Sequence, residues 1–522
     1  MKRAFLKSLG GGAAVLLASR RLMAATPSGP DRRALRVTPF QFGARGDGVH
    51  DDTSAIIRAA RAADRYGGWL VFPKGNFLVT DQVSLSGAIA GVWGEAGSSV
   101  TLRNGIGRAG FIIRELTGVD PVKKPFLFAN MKIQCQVTFA GQAAVIYGID
   151  IEGVHLVNNQ ILNVQVGRGI YLRGTHNKLV NGRPIAVASN VLKDNVVEIR
   201  PLPKTDCFGI EIEAERLYQT SERNAKDLWL KHFVLPQVPV PATSNVLEGN
   251  RVTGGYYGIS FLGVTRTLVS SNICEGQMRS MSIQHMSNAN LFLGNECIDS
   301  VSASIHFAYG ASYNVITENR IRTNRARGEG LMQAYVNASN NDFFLNDVEV
   351  GPEGLPKYHC YTGVVANKNS FWGNTLSGPC GRAYISVESA FNSASNRKSA
   401  RGFGMQGADD NFTDRGMYGV RVIGNIVRAT SPVPVFVLAQ ESDQNGAYPL
   451  LMSELAGNQV EWTGKGPLLE MIESSPGMLR DVVFDGNQFS PVPRAKQLVL
   501  PRGGKHFVSR INRQYAPERP DI

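Results

Sequence analysis

The stretch Phe42-Gly-Ala-Arg-Gly-Asp-Gly-Val-His-Asp-Asp-Thr-Ser-Ala-Ile-Ile57, continued by Gly67-Gly-Trp-Leu-Val-Phe-Pro-Lys-Gly-Asn-Phe77, decides the fold. Asp51 and Asp52 are placed to cap a helix, and Ile56, Ala59, Ala60 and Ala63 then share one apolar face. Gly67 and Gly68 make a turn, and Trp69 to Phe72 read as a buried strand. A short helix followed by a buried strand covers the open end of a sheet stack and protects its edge. The acidic run Asp47, Asp51, Asp52 is read as capping and turn formation rather than as catalysis or metal binding.

Beyond residue 150 an irregular repeat appears. An Asn stands one residue before an outward position and two before an apolar one, at Asn159, Asn195, Asn250, Asn272, Asn295, Asn319, Asn346, Asn374, Asn425, Asn458 and Asn487. From Asn250 to Asn319 the intervals are 22, 23 and 24 residues, the length of one solenoid coil. Asn tolerates left-handed turn geometry, and its amide can hydrogen-bond along a stack. The Leu pattern of leucine-rich repeats is missing. Short, β-branched, alternating segments exclude a helical solenoid. The expected fold is all-β: a right-handed parallel β-helix with an N-terminal capping helix. It forms a single domain over residues 36–515, with 36–105 as the capping module.

A second strand follows most of these asparagines. Aligning Gly169-Ile-Tyr-Leu-Arg, Gly209-Ile-Glu-Ile-Glu, Gly258-Ile-Ser-Phe-Leu, Ser280-Met-Ser-Ile-Gln, Ser304-Ile-His-Phe-Ala, Gln333-Ala-Tyr and Tyr384-Ile-Ser-Val-Glu puts the aliphatic residues inward. Tyr171, Arg173, Glu211, Glu213, Ser260, Gln284, His306, Tyr335 and Glu388 then fall on one outward strip, with coils about 4.8 Å apart. Long insertions leave beside it at 174–189, 214–243 (which carries Trp229) and 388–418, as walls of a groove would. Glu211 and Glu213 face the same way, roughly 6–7 Å apart. That spacing suits the acid and base of an inverting glycosidase, or the grip on a calcium ion that holds a uronate. Arg173 can neutralise a uronate, and Tyr171 can move a proton in β-elimination. A solvated Arg–Glu ladder on a sheet face is the competing reading. His306 is expected about 14 Å from Glu211, a place for binding a distal sugar rather than for pairing.

The segment at 42–77 resembles the N-terminal module of the pectate-lyase-like and polygalacturonase-like β-helix families. The resemblance implies the coil architecture and a polysaccharide substrate. Thr205-Asp206-Cys-Phe-Gly-Ile-Glu211 is similar to the polygalacturonase Asn-Thr-Asp-Gly-Ile-Asp motif, which makes Asp206 a further catalytic candidate. The departures are large: two extra residues separate the acids, Glu replaces Asp, and the paired-Asp and Gly-His-Gly elements are missing. Arg320-Ile-Arg322 falls on the asparagine column, which is a different face.

Residues 1–25 read as a bacterial export signal: Lys2, Arg3 and Lys7, then an apolar run from Leu9 to Ala18, then Arg20 and Arg21. The pattern resembles a twin-arginine signal and places the chain in the periplasm or outside the cell. Its apolar run is too short to anchor in a bilayer core of roughly 30 Å. Removing these five basic residues from the net charge of +12 leaves +7, which suits an anionic partner. No dense basic patch with interleaved aromatics points to nucleic acid. No Cys/His spacing suggests a metal site, and no cofactor beyond that calcium is implied. Cys274 and Cys297 are expected as stacked thiols or a vertical disulfide, and Cys360 and Cys380 as a possible loop closure. The expected activity is cleavage of a uronate-containing polysaccharide by a lyase. A hydrolase using Glu211 and Glu213, a uronate epimerase, and a non-catalytic binding or assembly protein are the alternatives.

Overall fold

The computed structural model describes residues 29–514, apart from 32, 87–88, 104–108, 115–124, 137–143, 175–178, 181–182, 185–186, 204, 216–241, 337, 365, 390–415, 441, 444–445, 448, 500–506 and 511–512. Residues 1–25, read above as an export signal, Trp229 and most of the three long insertions lie outside the described residues. The chain divides into two compact units. One holds residues 1–216, 238–282 and 287–291; the other holds 217–237, 283–286 and 292–522.

Each unit is a stack of parallel β-helix coils, and past the first coil, where the helix Thr53–Arg65 follows the second strand, the coils visit three sheets in turn. In the first unit one coil runs Val154–Val157, Gln160–Val164, Gly167–Gly174; the next begins at Val191–Lys193. In the second unit a coil runs Asp342–Phe344, Asp347–Val350, Tyr358–Gly363. Register keeps like with like. Ile146, Ile170, Ile210 and Ile259 are aligned and fully buried, as are Met332, Cys360 and Ile385 further along the chain. A strand needs only its inward residues to be apolar. The coil interior is therefore a column of aliphatic and Phe side chains.

The helix Thr53–Arg65 buries Ala55, Ile56, Ala59, Ala60 and Ala63, and Trp69–Phe72 is a strand. The two aspartates divide their work. Asp51 accepts the Thr53 amide at 3.0 Å, while Asp52 reaches back to the Arg45 and Gly46 amides at 2.6 and 3.1 Å. Only the first acts at the helix start; the second pins the glycine-rich turn.

The expected asparagines form buried ladders. In the first unit Asn159, Asn195, Asn250 and Asn272 join amide to amide at 2.9 Å. In the second, Asn295 through Asn487 do the same at 2.8–3.0 Å. A second ladder at the opposite corner joins Asn190 to Asn245, and Asn314 to Asn341 to Asn369. Asn374 shows what one rung carries. Its Oδ1 accepts both the backbone and side-chain N–H groups of Asn346, and its Nδ2 donates to Phe343 O and Asn425 Oδ1, each at 3.0 Å. Each buried group left unpaired costs about 1–3 kcal/mol. Asn374→Ala is expected to lower unfolding stability by at least about 2 kcal/mol, read as a reduced urea midpoint at unchanged slope.

All six cysteines are free and buried. Cys380 Sγ instead donates to Ala383 O at 3.0 Å, and the loop closure by Cys360 and Cys380 is not formed.

Candidate functional site

The outward face of the third sheet in the first unit carries three columns, the first two set by alternation with the buried isoleucines. The middle one is Tyr147, Tyr171, Glu211, Ser260. The next is Ile149, Arg173, Glu213, Leu262. The third is Ala144, Arg168, Phe208, Tyr257. The first two contain the expected residues. The third lies one residue before the marker glycines Gly169, Gly209 and Gly258, and an alignment begun at those glycines stops short of it. Strict alternation would turn Arg168, Phe208 and Tyr257 inward; the glycines that follow them face the core instead, and that break brings Arg168 over the Tyr171 and Phe208 rings.

These columns are tied together. Arg168 Nε donates to Glu211, and Ser260 Oγ donates to the other Glu211 oxygen at 3.4 Å. The Tyr171 hydroxyl donates to Glu213. The Arg168 guanidinium lies over the Tyr171 ring at 4.4 Å and the Phe208 ring at 4.9 Å. Tyr147 and Tyr171 stack at 5.0 Å, as do Phe208 and Tyr257. Tyr171, Glu211 and Glu213 are only 0, 2 and 3% exposed. Arg173 is partly exposed, yet its Nε is buried without a hydrogen-bond partner.

Burial pushes the Glu211 carboxyl above its ordinary range, against the opposing pull of Arg168 and with a further push from Glu213. Burial, then the two carboxylates, raise the Tyr171 phenol far above its usual value. Tyr171 is therefore a held proton donor, aimed at a carboxylate. A solvated Arg–Glu ladder also exists in this protein, but on the second sheet. There Arg251 meets Glu275 at 2.5 Å and Arg322 meets Glu349 at 3.5 Å, with every side chain 40–62% exposed. Such pairs contribute little. The third-sheet cluster differs by its burial: the Arg168 and Glu211 side chains are 10% and 3% exposed.

Asp206 is exposed and stands five residues before Glu211, roughly 16 Å along the strand. Gln284, His306, Tyr335 and Glu388 belong to the second unit. Glu388 accepts the Tyr358 hydroxyl at 2.6 Å and the Ser386 hydroxyl at 2.8 Å. The His306 and Tyr335 rings lie 5.2 Å apart. The strand Tyr358–Gly363, which carries Tyr358, lies outside the aligned segments. Among the described residues no group of three or more His, Cys, Asp or Glu gathers for a metal. Glu211 and Glu213 do not fit calcium either, since the Arg168 cation is already paired with one of them.

His155 is a core histidine, set between Leu127 and Val191 with both ring nitrogens unpartnered. Burial lowers its pKa from 6.5 to about 4. Its neutral form is compatible with the fold; protonation favours the unfolded chain. The stability is therefore full above pH 6.5 and is lost as pH falls toward 4. Between pH 7 and 5 the wild-type chain is expected to lose about 2 kcal/mol more than His155→Leu, measured by urea unfolding at each pH.

Residues 40–113 match the family described as rhamnogalacturonase A/epimerase, pectate lyase-like. Residues 238–394 match the family described as periplasmic copper-binding protein (NosD). Both are parallel β-helix families. The resemblance read from residues 42–77 lies inside the first match. No curated protein matches the sequence significantly. Among solved structures, the mannuronan C-5 epimerase AlgE6 A-module of Azotobacter vinelandii is similar at 12% identity and TM-score 0.44, over 92% of this chain and 100% of that one. The surface adhesin PfbA of Streptococcus pneumoniae is similar at 15% and 0.41, over 80% and 94%. The GH87 α-1,3-glucanase catalytic unit of Streptomyces thermodiastaticus is similar at 14% and 0.36, over 94% and 70%. Likeness at this level says nothing of the chemistry of this chain. Among the described residues no helix is long and apolar enough to cross a membrane.

Proposed function

We propose that this protein is an exported enzyme that cleaves an acidic, uronate-containing polysaccharide by β-elimination. The observation that carries the reading is the buried Tyr171–Glu213 hydrogen bond beside Arg173. Arg173, the partly exposed cation of the cluster, receives the uronate carboxylate. Neutralising that carboxylate acidifies the C5 hydrogen. Glu213 takes the C5 proton, the C4=C5 double bond forms, the C4–O4 bond breaks, and the Tyr171 phenol protonates O4. The proton on Glu213 then returns to Tyr171 through the bond that already joins them. The site is reset with no net gain or loss of protons. The match of residues 40–113 to a pectate lyase-like family supports the same substrate class.

An inverting hydrolase needs two carboxylates working across a water. Here Glu211 is ion-paired with Arg168 and Glu213 accepts the phenol, which favours elimination. The mature, export-competent chain incubated with polygalacturonate or alginate is expected to release products with the ultraviolet absorbance of a conjugated C4=C5 uronate. New reducing ends without that absorbance mean hydrolysis. Exchange at C5 in heavy water without chain scission means epimerisation. Retention of polymer with neither means a binding protein. Any of these three results overturns the elimination mechanism.

A further inference from the structure

The second unit carries a row of aromatic side chains along the C-terminal ends of its third-sheet strands. His285 and Tyr309 stack at 5.2 Å, Tyr309 and Tyr335 lie 6.2 Å apart, and Tyr335 packs on the Tyr358 and Tyr361 pair, itself stacked at 4.9 Å. His285, Tyr309 and Tyr335 are partly exposed. The row runs across successive coils: His285 and Tyr309 directly follow the strands Arg279–Gln284 and Ala303–Ala308, and Tyr335 and Tyr361 lie in the next two, Gly330–Tyr335 and Tyr358–Gly363. Gly363 makes room for the Tyr361 hydroxyl, with which a Cβ there would collide. Two exposed cations flank the far end. The Lys357 ammonium stands 5.0 Å from the Tyr358 ring, and Arg382 Nε lies 3.9 Å from the buried Glu388 carboxylate.

The geometry points to a chain-binding rail in the second unit that holds an acidic polysaccharide, with sugar faces on Tyr309 and Tyr335 and uronate carboxylates on Lys357 and Arg382. The Tyr309 and Tyr335 rings, 6.2 Å apart and tilted at 54°, place one partly exposed apolar group on each of two successive coils, in the direction a linear polymer follows. Two cations at one end of the row give that surface a preference for negative charge. Glu388, already bonded by Tyr358 and Ser386, is a positioning group that fixes the Tyr358 ring and faces Arg382. The inference rests on the acidic-polysaccharide reading above and deepens it.

Two double variants of the full chain test it, Tyr309→Ala/Tyr335→Ala and Lys357→Ala/Arg382→Ala. All four side chains are at least partly exposed, and circular-dichroism melting of each variant controls for the packing of Tyr335 and for the Arg382–Glu388 contact. Binding is measured by affinity electrophoresis with polygalacturonate, alginate and neutral dextran at two salt concentrations. Each double variant is expected to bind the acidic polymers at least tenfold more weakly. The cation variant should also lose most of the salt dependence, as expected for screened charges. On polymer, KM rises while kcat stays. Tyr309→Phe/Tyr335→Phe should bind as wild type. Acidic-polymer binding unchanged in both Ala variants overturns the rail alone. A wild-type chain that retains neither acidic polymer overturns the proposed substrate class and the rail with it.

Discussion

Tyr171→Phe is expected to lower turnover on an acidic polysaccharide by about 10²–10⁴-fold, the range for losing a positioned general acid. The ring is kept, so its stack on Tyr147 at 5.0 Å and its contact with the Arg168 guanidinium survive. Only the proton donor goes. Glu213→Gln should cost a similar factor by the opposite route: an amide can still accept the phenol hydrogen bond but cannot take up the C5 proton. Because the proton passes between these two groups, the double variant should be little worse than either single one. Initial rates at saturating polymer, with circular-dichroism melting as a control for folding, decide it. Turnover of Tyr171→Phe within twofold of wild type would remove this pair from the mechanism.

The fold was legible because its determinants are periodic. The β alternation assigned Ile210 and Ile212 inward and Glu211 and Glu213 outward, and the register confirms those directions. The intervals between Asn250, Asn272, Asn295 and Asn319 gave the coil length. The second asparagine ladder was missed because its series is broken: Thr267 replaces Asn between Asn245 and Asn290, and it supplies a hydroxyl where its neighbours supply amides. Burial was not legible at all. Alternation states which way a side chain points, not what covers it. Glu211 and Arg322 therefore look alike in sequence, one at 2% exposure and the other on a solvated ladder. The same limit hid Arg168. It sits one residue outside the aligned segment, and its planar fit between Tyr171 and Phe208 is a property of three coils rather than of one motif.

Arg168 is also where the largest stability effect is expected. Its partner Glu211 is buried, and removing one member of a buried ion pair leaves a charge without compensation, a loss of about 3–5 kcal/mol. Arg168→Ala should therefore show a large drop in thermal and urea midpoints, while Arg251→Ala on the exposed second-sheet ladder should change them by less than about 1 kcal/mol. Lys is a poor substitute at position 168, since it keeps the charge but loses the flat contact with the two rings. The sign of the pH dependence separates a charge effect from simple loss of packing. Burial and Glu213 already raise the Glu211 pKa, and Arg168 is what opposes them. Without Arg168 the folded-state pKa rises further. The folded variant then binds a proton that the unfolded chain has released. Its stability is highest below the ordinary carboxylate pKa and declines as pH rises through the raised value. The deficit against wild type should thus shrink on acidification, and Arg168→Ala/Glu211→Gln should abolish that trend. A deficit constant with pH would mean that the guanidinium acts only as packing between Tyr171 and Phe208. The cluster would then lose the electrostatic organisation on which the proposed proton relay depends.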